Sequence, residues 1–258
     1  MRPFEPVGAK LAVMLPILYR DEHLIAIHKP SGLLVHRSEL DRHETRFAVQ
    51  LLRDQIGQRV HPVHRLDKGT SGVLLFAFDK DTGAALSRQF ETQAVQKTYL
   101  AVVRGWPAEA GLIDHPLAVV RDAYEPAAAA DAAPQPARTA WRRLATIELP
   151  VRVDRYPSSR YALLALEPET GRRHQIRRHL KHASHPIIGD ATYGNGRHNR
   201  MFAARFGVAR LLLASVALRL RHPVSGVTLS ILAPLAAEFA GLLDALGWRE
   251  ALPAGWRE

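Results

Sequence analysis

One carboxylate in this chain combines a rigid backbone on one side with a polar loop on the other. Asp67 stands two residues after Arg65, and the loop 68–72 of mostly small residues follows it. The apolar run 73–78 predicts a strand directly after this loop. Arg65 and the hydroxyl groups of the loop can keep the carboxylate ionised through charge and hydrogen bonds. An isolated aspartate at a strand end usually only forms a turn, but this setting indicates a nucleophile.

The same residues allow a second chemical interpretation. The sequence Asp-Lys-Gly-Thr at 67–70 superficially resembles the aspartyl-phosphate loop of P-type ATPases and related phosphotransferases. That chemistry needs Mg²⁺ held by further carboxylates. The rest of the chain offers only scattered acids such as Asp190, so we rank a phosphotransferase below a metal-independent nucleophile.

A second group of candidate residues lies in the strongly basic segment 172–182. We predict that this segment forms a helix that follows Gly171. On such a helix Arg173 and Arg177 are four positions apart and share one face. We expect the helix to offer one arginine to Asp67 and the others to phosphate oxygens. A basic helix face that contacts only solvent is the alternative interpretation.

The histidines of this region also suggest a metal site. His179, His182 and His185 are close in sequence, but zinc would need their nitrogens to be convergent and neutral. Several cations lie among them and disfavour a divalent ion, so we predict no metal. These cations are Arg172, Arg173, Arg177, Arg178 and Lys181.

Tyr99 is an aromatic candidate in the predicted strand 97–105. Aromatic residues in strands usually belong to the core, but a phenol can also stack on a base while its hydroxyl reaches a proton. The sequence Gly-Asn-Gly at 194–196 lacks the third glycine and the strand–loop–helix setting of a dinucleotide-binding motif. We therefore predict no nucleotide cofactor.

The charge balance favours a polyanionic partner. Among 258 residues, 35 Lys and Arg outnumber 25 Asp and Glu, and the net charge is +10. Cationic side chains that neutralise phosphates release counterions, which favours nucleic acid binding. The chain has no cysteine, which excludes disulfides and thiolate metal sites. No apolar run approaches the roughly 18 residues of a membrane span, so we expect a soluble cytoplasmic protein with no membrane partner.

The order of the predicted elements favours an α+β fold. Strands and helices do not alternate regularly, which disfavours a doubly wound parallel sheet. We predict a single domain around a mixed, mainly antiparallel sheet flanked by helices. The predicted strands are 17–19, 24–27, 73–78, 97–105, 141–149, 161–167, 216–221 and 227–232. The predicted helices are 47–56, 84–90, 172–182 and 235–246.

The domain boundaries are predicted from changes in composition. Residues 1–16 are expected to be a loose extension, 17–250 the domain and 251–258 a tail. The composition of the Pro/Ala-rich segment 125–137 predicts a surface loop rather than a domain boundary. Met14 directly precedes the first region of clear strand pattern, which suggests the hypothesis that translation starts there. N-terminal sequencing of the native protein would decide it.

Taken together, these motifs resemble the RluA family of RNA pseudouridine synthases. The resemblance runs from about residue 17 to residue 248 and implies an α+β catalytic domain. Some family members carry a small S4-like RNA-binding domain first, and we expect none here, since only 16 residues precede the first predicted strand. The matching segments are Lys29–Gly32, His64–Gly72, Lys97–Tyr99, Gly171–Arg177 and His185–Asp190.

The resemblance implies a role for four side chains. Asp67 would be the catalytic nucleophile and Arg177 its salt-bridge partner. Tyr99 would stack on the uracil and assist deprotonation at C5. Arg65 would replace the flipped nucleotide in the RNA helix. Isomerisation needs neither redox change nor an energy source, so no cofactor is expected.

A narrower likeness to members of the family that modify tRNA rests on residues 34–38, 155–161 and 177–180. It implies uridine 65 in the T stem of tRNA as the target, with ribosomal RNA or another tRNA site as the alternative. A basic RNA-binding protein without catalysis is the alternative from another class. We expect a monomer, because no heptad or exposed apolar stripe suggests a dimer. The further cations predicted to contact RNA are Lys68, Arg172, Arg173 and Arg178.

Overall fold

The structure, a computed structural model, describes residues 14–36, 44–120 and 133–257. Within these ranges, ten strands form one sheet that carries five α-helices and two short 3₁₀ turns. The strands are β1 Ile17–Arg20, β2 Leu24–Lys29, β3 His61–Pro62, β4 Ser71–Ala77, β5 Gln96–Arg104, β6 Ala110–Asp114, β7 Arg138–Leu149, β8 Ser159–Pro168, β9 Leu213–Arg221 and β10 Thr228–Leu232. The helices are α1 Ala48–Ile56, α2 Lys80–Glu91, α3 Gln175–His182, α4 Gly196–Phe206 and α5 Ala237–Ala245, and the 3₁₀ turns are Arg249–Ala251 and Ala254–Trp256.

The sheet is mixed and mainly antiparallel, which confirms the prediction of one α+β domain. Its main strand order is β1-β2-β4-β9-β5-β8-β7-β6, while β3 also pairs with β4 and β10 with β9. The single parallel pairing among the described strands joins β4 to β9. In it Gly72 lies opposite Ser215, and Ser215 in turn lies opposite Tyr99 of β5. This register brings the chain just after Asp67 next to the strand that carries Tyr99.

Most elements lie where the sequence pattern places them. The hairpin of β1 and β2, the hairpin of β9 and β10, and the helices α1 and α5 confirm the predictions. Helix α1 ends at Gly57, which adopts a left-handed conformation with φ of 67°, as expected of a glycine at a helix C-terminus. Helix α2 is longer than predicted because Asp79 caps it by accepting a hydrogen bond from the Thr82 N–H at 2.8 Å.

The prediction of a helix from residue 172 is wrong. Helix α3 begins only at Gln175, because His174 has a left-handed backbone with φ of 55°. Arg173 therefore lies before the helix and does not share a helical face with Arg177. Helix α4 was not predicted at all, and within it only His198 and Phe202 are buried.

The buried side chains form a core around the central strands. One cluster joins β5, β8 and β9 to helices α3, α4 and α5, and another joins β2 and β4 to α1. Tyr99 packs against both clusters, which fixes its ring between them. Leu15, within the predicted N-terminal extension, is also buried, and its amide N–H donates to Gln55 Oε1 of α1 at 2.7 Å. At the other end of the chain, Leu252 is buried as well.

Gly72 is required by the contact between β4 and β9. Its φ is +111°, and a Cβ atom there would lie 1.9 Å from the Ser215 carbonyl oxygen. We expect Gly72→Ala to lower the free energy of unfolding by about 2–3 kcal/mol, through steric overlap and an unfavourable backbone angle. Urea unfolding measures this. The control is Gly241→Ala in α5, where a Cβ meets no atom within 4 Å, and equal stability of the two variants would contradict the expectation.

Among the described residues, no helix is both long and apolar enough to cross a lipid bilayer.

Candidate active site

Asp67 lies in the wall of an open cleft of about 570 Å³. Its side chain is 21% exposed, so the carboxylate is accessible but partly desolvated. The Thr70 N–H donates to the main-chain carbonyl of Asp67 at 3.0 Å, which closes a turn over residues 67–70. The hydroxyl of Ser71 instead accepts from Arg210 Nη2 at 2.7 Å. These loop groups shape the backbone of Asp67 rather than donating to its carboxylate the hydrogen bonds that the sequence predicts.

The turn after β2 forms hydrogen bonds to the loop that follows Asp67. The Gly32 N–H donates to the Lys68 carbonyl at 2.8 Å, and the Ser31 hydroxyl donates to the Gly69 carbonyl at 2.7 Å. The buried Lys29 ammonium group donates to the Lys68 carbonyl at 3.2 Å and to two carbonyls of its own turn. Burial lowers the pKa of Lys29 to about 7, an effect that the charge of Arg210 increases and that of Asp67 opposes. The loop carrying Asp67 is therefore held through its own carbonyl groups, which accept hydrogen bonds from the turn after β2.

Arg177 is the cation that contacts Asp67. Its Nη1 lies 3.1 Å from Asp67 Oδ2, while Nε and Nη2 donate to Asp190 at 2.7 and 2.9 Å. The bidentate bond to Asp190 fixes the plane of the guanidinium and directs its third nitrogen at Asp67. This is the salt bridge that the resemblance implied.

Asp190 is the functional residue that sequence reasoning missed. Its side chain is 1% exposed and also accepts from the N–H groups of Thr192 and Tyr193 at 2.9 and 3.0 Å. Burial alone would raise the pKa of Asp190, but the hydrogen bonds from Arg177 and these two amides hold it below its ordinary value. Asp190 thus stays charged and balances Arg177. Its place in the segment 185–190 was the only signal in the sequence.

Tyr99 lines the same cleft from β5. Burial raises the pKa of its phenol to about 12, and the charge of Asp67 adds to the rise while the hydroxyl of Ser215 opposes it. The phenol is therefore protonated at neutral pH. A half-buried ring with a polar tip in the cleft can stack on a base and exchange a proton with it.

We expect Tyr99→Phe to lower kcat by about 10²-fold, since a positioned acid–base group contributes that much or more. The affinity for RNA should change little, because the ring is retained. Tritium release from C5-labelled uridine under single-turnover conditions measures the loss. Tyr19→Phe in β1 removes a phenol that is bonded to Asp21 and is the control. A kcat equal to that of the wild type would show that the hydroxyl has no chemical role.

His174 also faces Asp67, with its Nε2 at 3.9 Å from Oδ1, and its Nδ1 is 3.1 Å from the Tyr193 hydroxyl. Burial lowers the pKa of His174, and the charge of Asp67 opposes this shift only in part. The backbone of His174 is left-handed, and a hydrogen bond from the Arg172 N–H to the side-chain oxygen of Gln175, at 3.0 Å, spans this residue.

Four of the five predicted RNA-contacting cations line the cleft. Arg65 is exposed, whereas Arg172, Arg173 and Arg178 are half-buried. Two of them also attach neighbouring chain to the cleft wall: Arg172 Nε donates to the Pro136 carbonyl at 3.1 Å, and Arg178 Nη1 to the Ala118 carbonyl at 3.0 Å. Lys68 lines an adjacent cavity instead. It pairs with Glu44 at 2.8 Å, and both side chains are about two-fifths exposed.

The histidines considered for a metal have other partners. His179 contacts the Thr139 hydroxyl at 2.9 Å and the His115 carbonyl at 3.0 Å through its two nitrogens. The ring of His182 stacks on that of His115 with centroids 3.8 Å apart, and His185 Nδ1 lies 2.9 Å from the Arg104 carbonyl. These rings hold chain segments together.

The fold agrees with comparisons to known proteins. Residues 23–182 match the model of the RNA pseudouridylate synthase family, and the chain belongs to this family. Two solved human structures are similar over 90% of the chain. RNA pseudouridylate synthase domain containing 4 has a TM-score of 0.68 at 27% identity, covering 93% of that chain. RNA pseudouridylate synthase domain containing 1 has a TM-score of 0.65 at 25% identity, covering 86% of that chain.

Among curated relatives, the chain is similar to proteins named tRNA pseudouridine synthase C. It is 50% identical to that of Yersinia pestis, over 93% of this chain and 94% of the relative. It is 48% identical to that of Vibrio cholerae, over 93% of this chain and 98% of the relative. It is 51% identical to that of Pectobacterium carotovorum. This match covers 93% of this chain but only 64% of the relative's length.

Proposed function

We propose that this protein is a tRNA pseudouridine synthase that converts uridine 65 of the T stem to pseudouridine, with Asp67 as the nucleophile. The observation that carries the proposal is the arrangement in the cleft. An accessible carboxylate there is 3.1 Å from a fixed guanidinium and shares the cavity with a protonated phenol. The tRNA substrate is supported by the names of relatives about 50% identical over nearly the whole chain.

The target base must leave the RNA helix before Asp67 can reach it, and unstacking costs a few kcal/mol. Contacts between cations at the rim of the cleft and the RNA backbone offset this cost. Arg65 is exposed at the rim, two residues from Asp67. We assign it the space in the helix that the flipped uridine vacates. Lys68, Arg172, Arg173 and Arg178 are assigned to phosphate contacts.

The reaction is an isomerisation within one nucleotide. The bond between N1 and C1′ breaks, the detached uracil rotates, and a bond between C5 and C1′ forms. The proton lost from C5 to water is balanced by the proton gained at N1, so the composition and oxidation state of the nucleotide do not change. Arg177 is the counter-ion of Asp67, and Tyr99 stacks on the uracil. The phenol of Tyr99 passes its own proton to water as it takes up the proton from C5. This chemistry requires no cofactor.

We place the catalytic domain at residues 17–250, and the buried side chains of Leu15 and Leu252 pack against its core from the flanking segments. We infer that the enzyme works as a monomer in the cytoplasm, where tRNA is its partner. Relatives that are named for a tRNA modification support this location.

The test uses the purified protein and RNA transcripts labelled with tritium at C5 of uridine. We expect the protein to release tritium from the tRNA transcript. It should release none from a transcript in which cytidine replaces uridine 65. Release from ribosomal RNA fragments alone would overturn the tRNA assignment. Tight RNA binding without any release would instead indicate a non-catalytic RNA-binding protein.

A further inference from the structure

The loop between β7 and β8 carries a surface that the proposed reaction does not use. The guanidinium of Arg155 lies 4.7 Å from the ring centroid of Tyr156, and that of Arg160 lies 4.4 Å from the ring centroid of Trp106. Both rings are solvent-accessible, at 59% for Tyr156 and 41% for Trp106. We call this surface the arginine–aromatic patch. It comprises Trp106, Arg152, Arg155, Tyr156, Arg160 and Arg197.

The patch carries a net positive charge. Arg160 pairs with Glu148 at 3.1 Å and Arg197 with Asp154 at 3.4 Å. Arg152 and Arg155 are exposed, and in the described part of the chain no carboxylate lies within 4 Å of either guanidinium. Their charges are therefore available to an anionic partner.

A buried chain of hydrogen bonds holds the loop of the patch in place. The hydroxyl of the buried Tyr161 is 2.7 Å from His198 Nδ1, and His198 Nε2 is 3.0 Å from Asp154 Oδ2. His198 is buried in α4, whereas Asp154 belongs to the loop. These hydrogen bonds join the loop to β8 and α4, so the loop presents an ordered surface.

The patch lies close to the active site. Tyr193 contacts His174 in the site, and Arg197 follows it by four residues, a span of at most about 14 Å of extended chain. Along β8, Leu166, which lies opposite Tyr99, and Arg160 of the patch are six residues apart on the same face of the sheet, or roughly 20 Å. An RNA bound in the cleft can therefore extend to the patch.

We infer that the arginine–aromatic patch is a second RNA-binding surface for the substrate. This inference rests on the proposed function. Arg152 and Arg155 contact backbone phosphates, and the Tyr156 ring stacks on an unpaired base near the target stem. Exposed aromatic rings beside guanidinium groups suit this partner, because bases stack on both groups and phosphates bind the charge. An acidic protein would use the arginines but would leave the stacked rings without a role.

The test compares binding of the full-length tRNA by filter retention as a function of salt. We expect Arg155→Ala to weaken binding about 5-fold and to lower the salt slope by about 1, as loss of one phosphate contact predicts. Tyr156→Ala should weaken binding about 10-fold without changing the slope, since stacking does not release counterions. Tyr156→Phe keeps the ring and should restore the affinity.

The control is Arg20→Ala in β1, which also removes an arginine that stands over an aromatic ring, Phe78. Arg20 lies at the opposite side of the sheet from β8, so its loss should change affinity less than twofold. Equal affinities and slopes for the wild type, Arg155→Ala and Tyr156→Ala would overturn the inference. Because the wild type is assayed for tritium release in parallel, failure of the patch and failure of the proposed function give different results.

Discussion

The Asp67→Asn variant is expected to form no measurable pseudouridine, a loss on the order of 10⁴-fold or more, as for other nucleophiles. The amide has the size of the carboxylate and still accepts a hydrogen bond from Arg177, which now lies 3.1 Å from Oδ2. It is not nucleophilic, however. The affinity for RNA should stay within about tenfold of that of the wild type, because the negative charge of Asp67 does not attract RNA phosphates.

Single-turnover tritium release at saturating RNA measures this effect together with filter binding. The control is Asp81→Asn, which removes an exposed carboxylate in the first turn of α2 and should leave the rate unchanged. Tritium release at the wild-type rate in Asp67→Asn would refute the assignment of the nucleophile.

The Arg177→Met variant is expected to lose both activity and stability. Removing the guanidinium leaves Asp190 charged with its side chain 1% exposed, and breaking a buried ion pair of this kind costs about 3–5 kcal/mol. The control Arg205→Met, at the exposed end of α4, should lower the free energy of unfolding by less than about 1 kcal/mol, because substitutions at the surface usually change stability little. Urea unfolding at pH 7 measures both values.

The double variant Arg177→Met/Asp190→Asn separates the two effects. Removing the unpaired charge should recover much of the stability, while activity stays lost because Asp67 has no counter-ion. An Arg177→Met protein as stable as the wild type would show that the pair is not buried in solution.

The pH dependence of the wild type follows from the same pair. The pKa of Asp190 in the folded protein lies below that of the same carboxyl group in the unfolded chain. Its contribution to stability is therefore fully present above about pH 5 and is lost as the pH falls through the lower, folded value. The double variant, which lacks this group, should lose less stability over that acidic range.

Much of the scaffold could be predicted from local sequence patterns. The apolar run 24–27 and the alternating residues 216–221 predict strands, and spacing of 3.6 residues in 47–56 predicts a helix that Gly57 ends. In each case the buried positions of the element are visible in its own sequence, so no distant contact is needed to identify it.

The site required contacts between distant segments, and here local patterns failed. Arg172 and Arg173 are good helix formers, but the side chain of Gln175 bonds to the Arg172 N–H and delays the start of α3. Asp190 looks like an isolated acid in sequence, since its partner Arg177 lies 13 residues earlier. Helix α4 buries only two side chains, which leaves almost no apolar periodicity to detect.

The most direct test of the central claim maps pseudouridine in the RNA of cells that lack this gene and carry either the wild-type gene or Asp67→Asn. We expect the signal at uridine 65 of tRNA to vanish on deletion, to return with the wild type and to stay lost with the variant. A signal that survives deletion, or that returns with Asp67→Asn, would contradict the claim that this carboxylate converts uridine in tRNA.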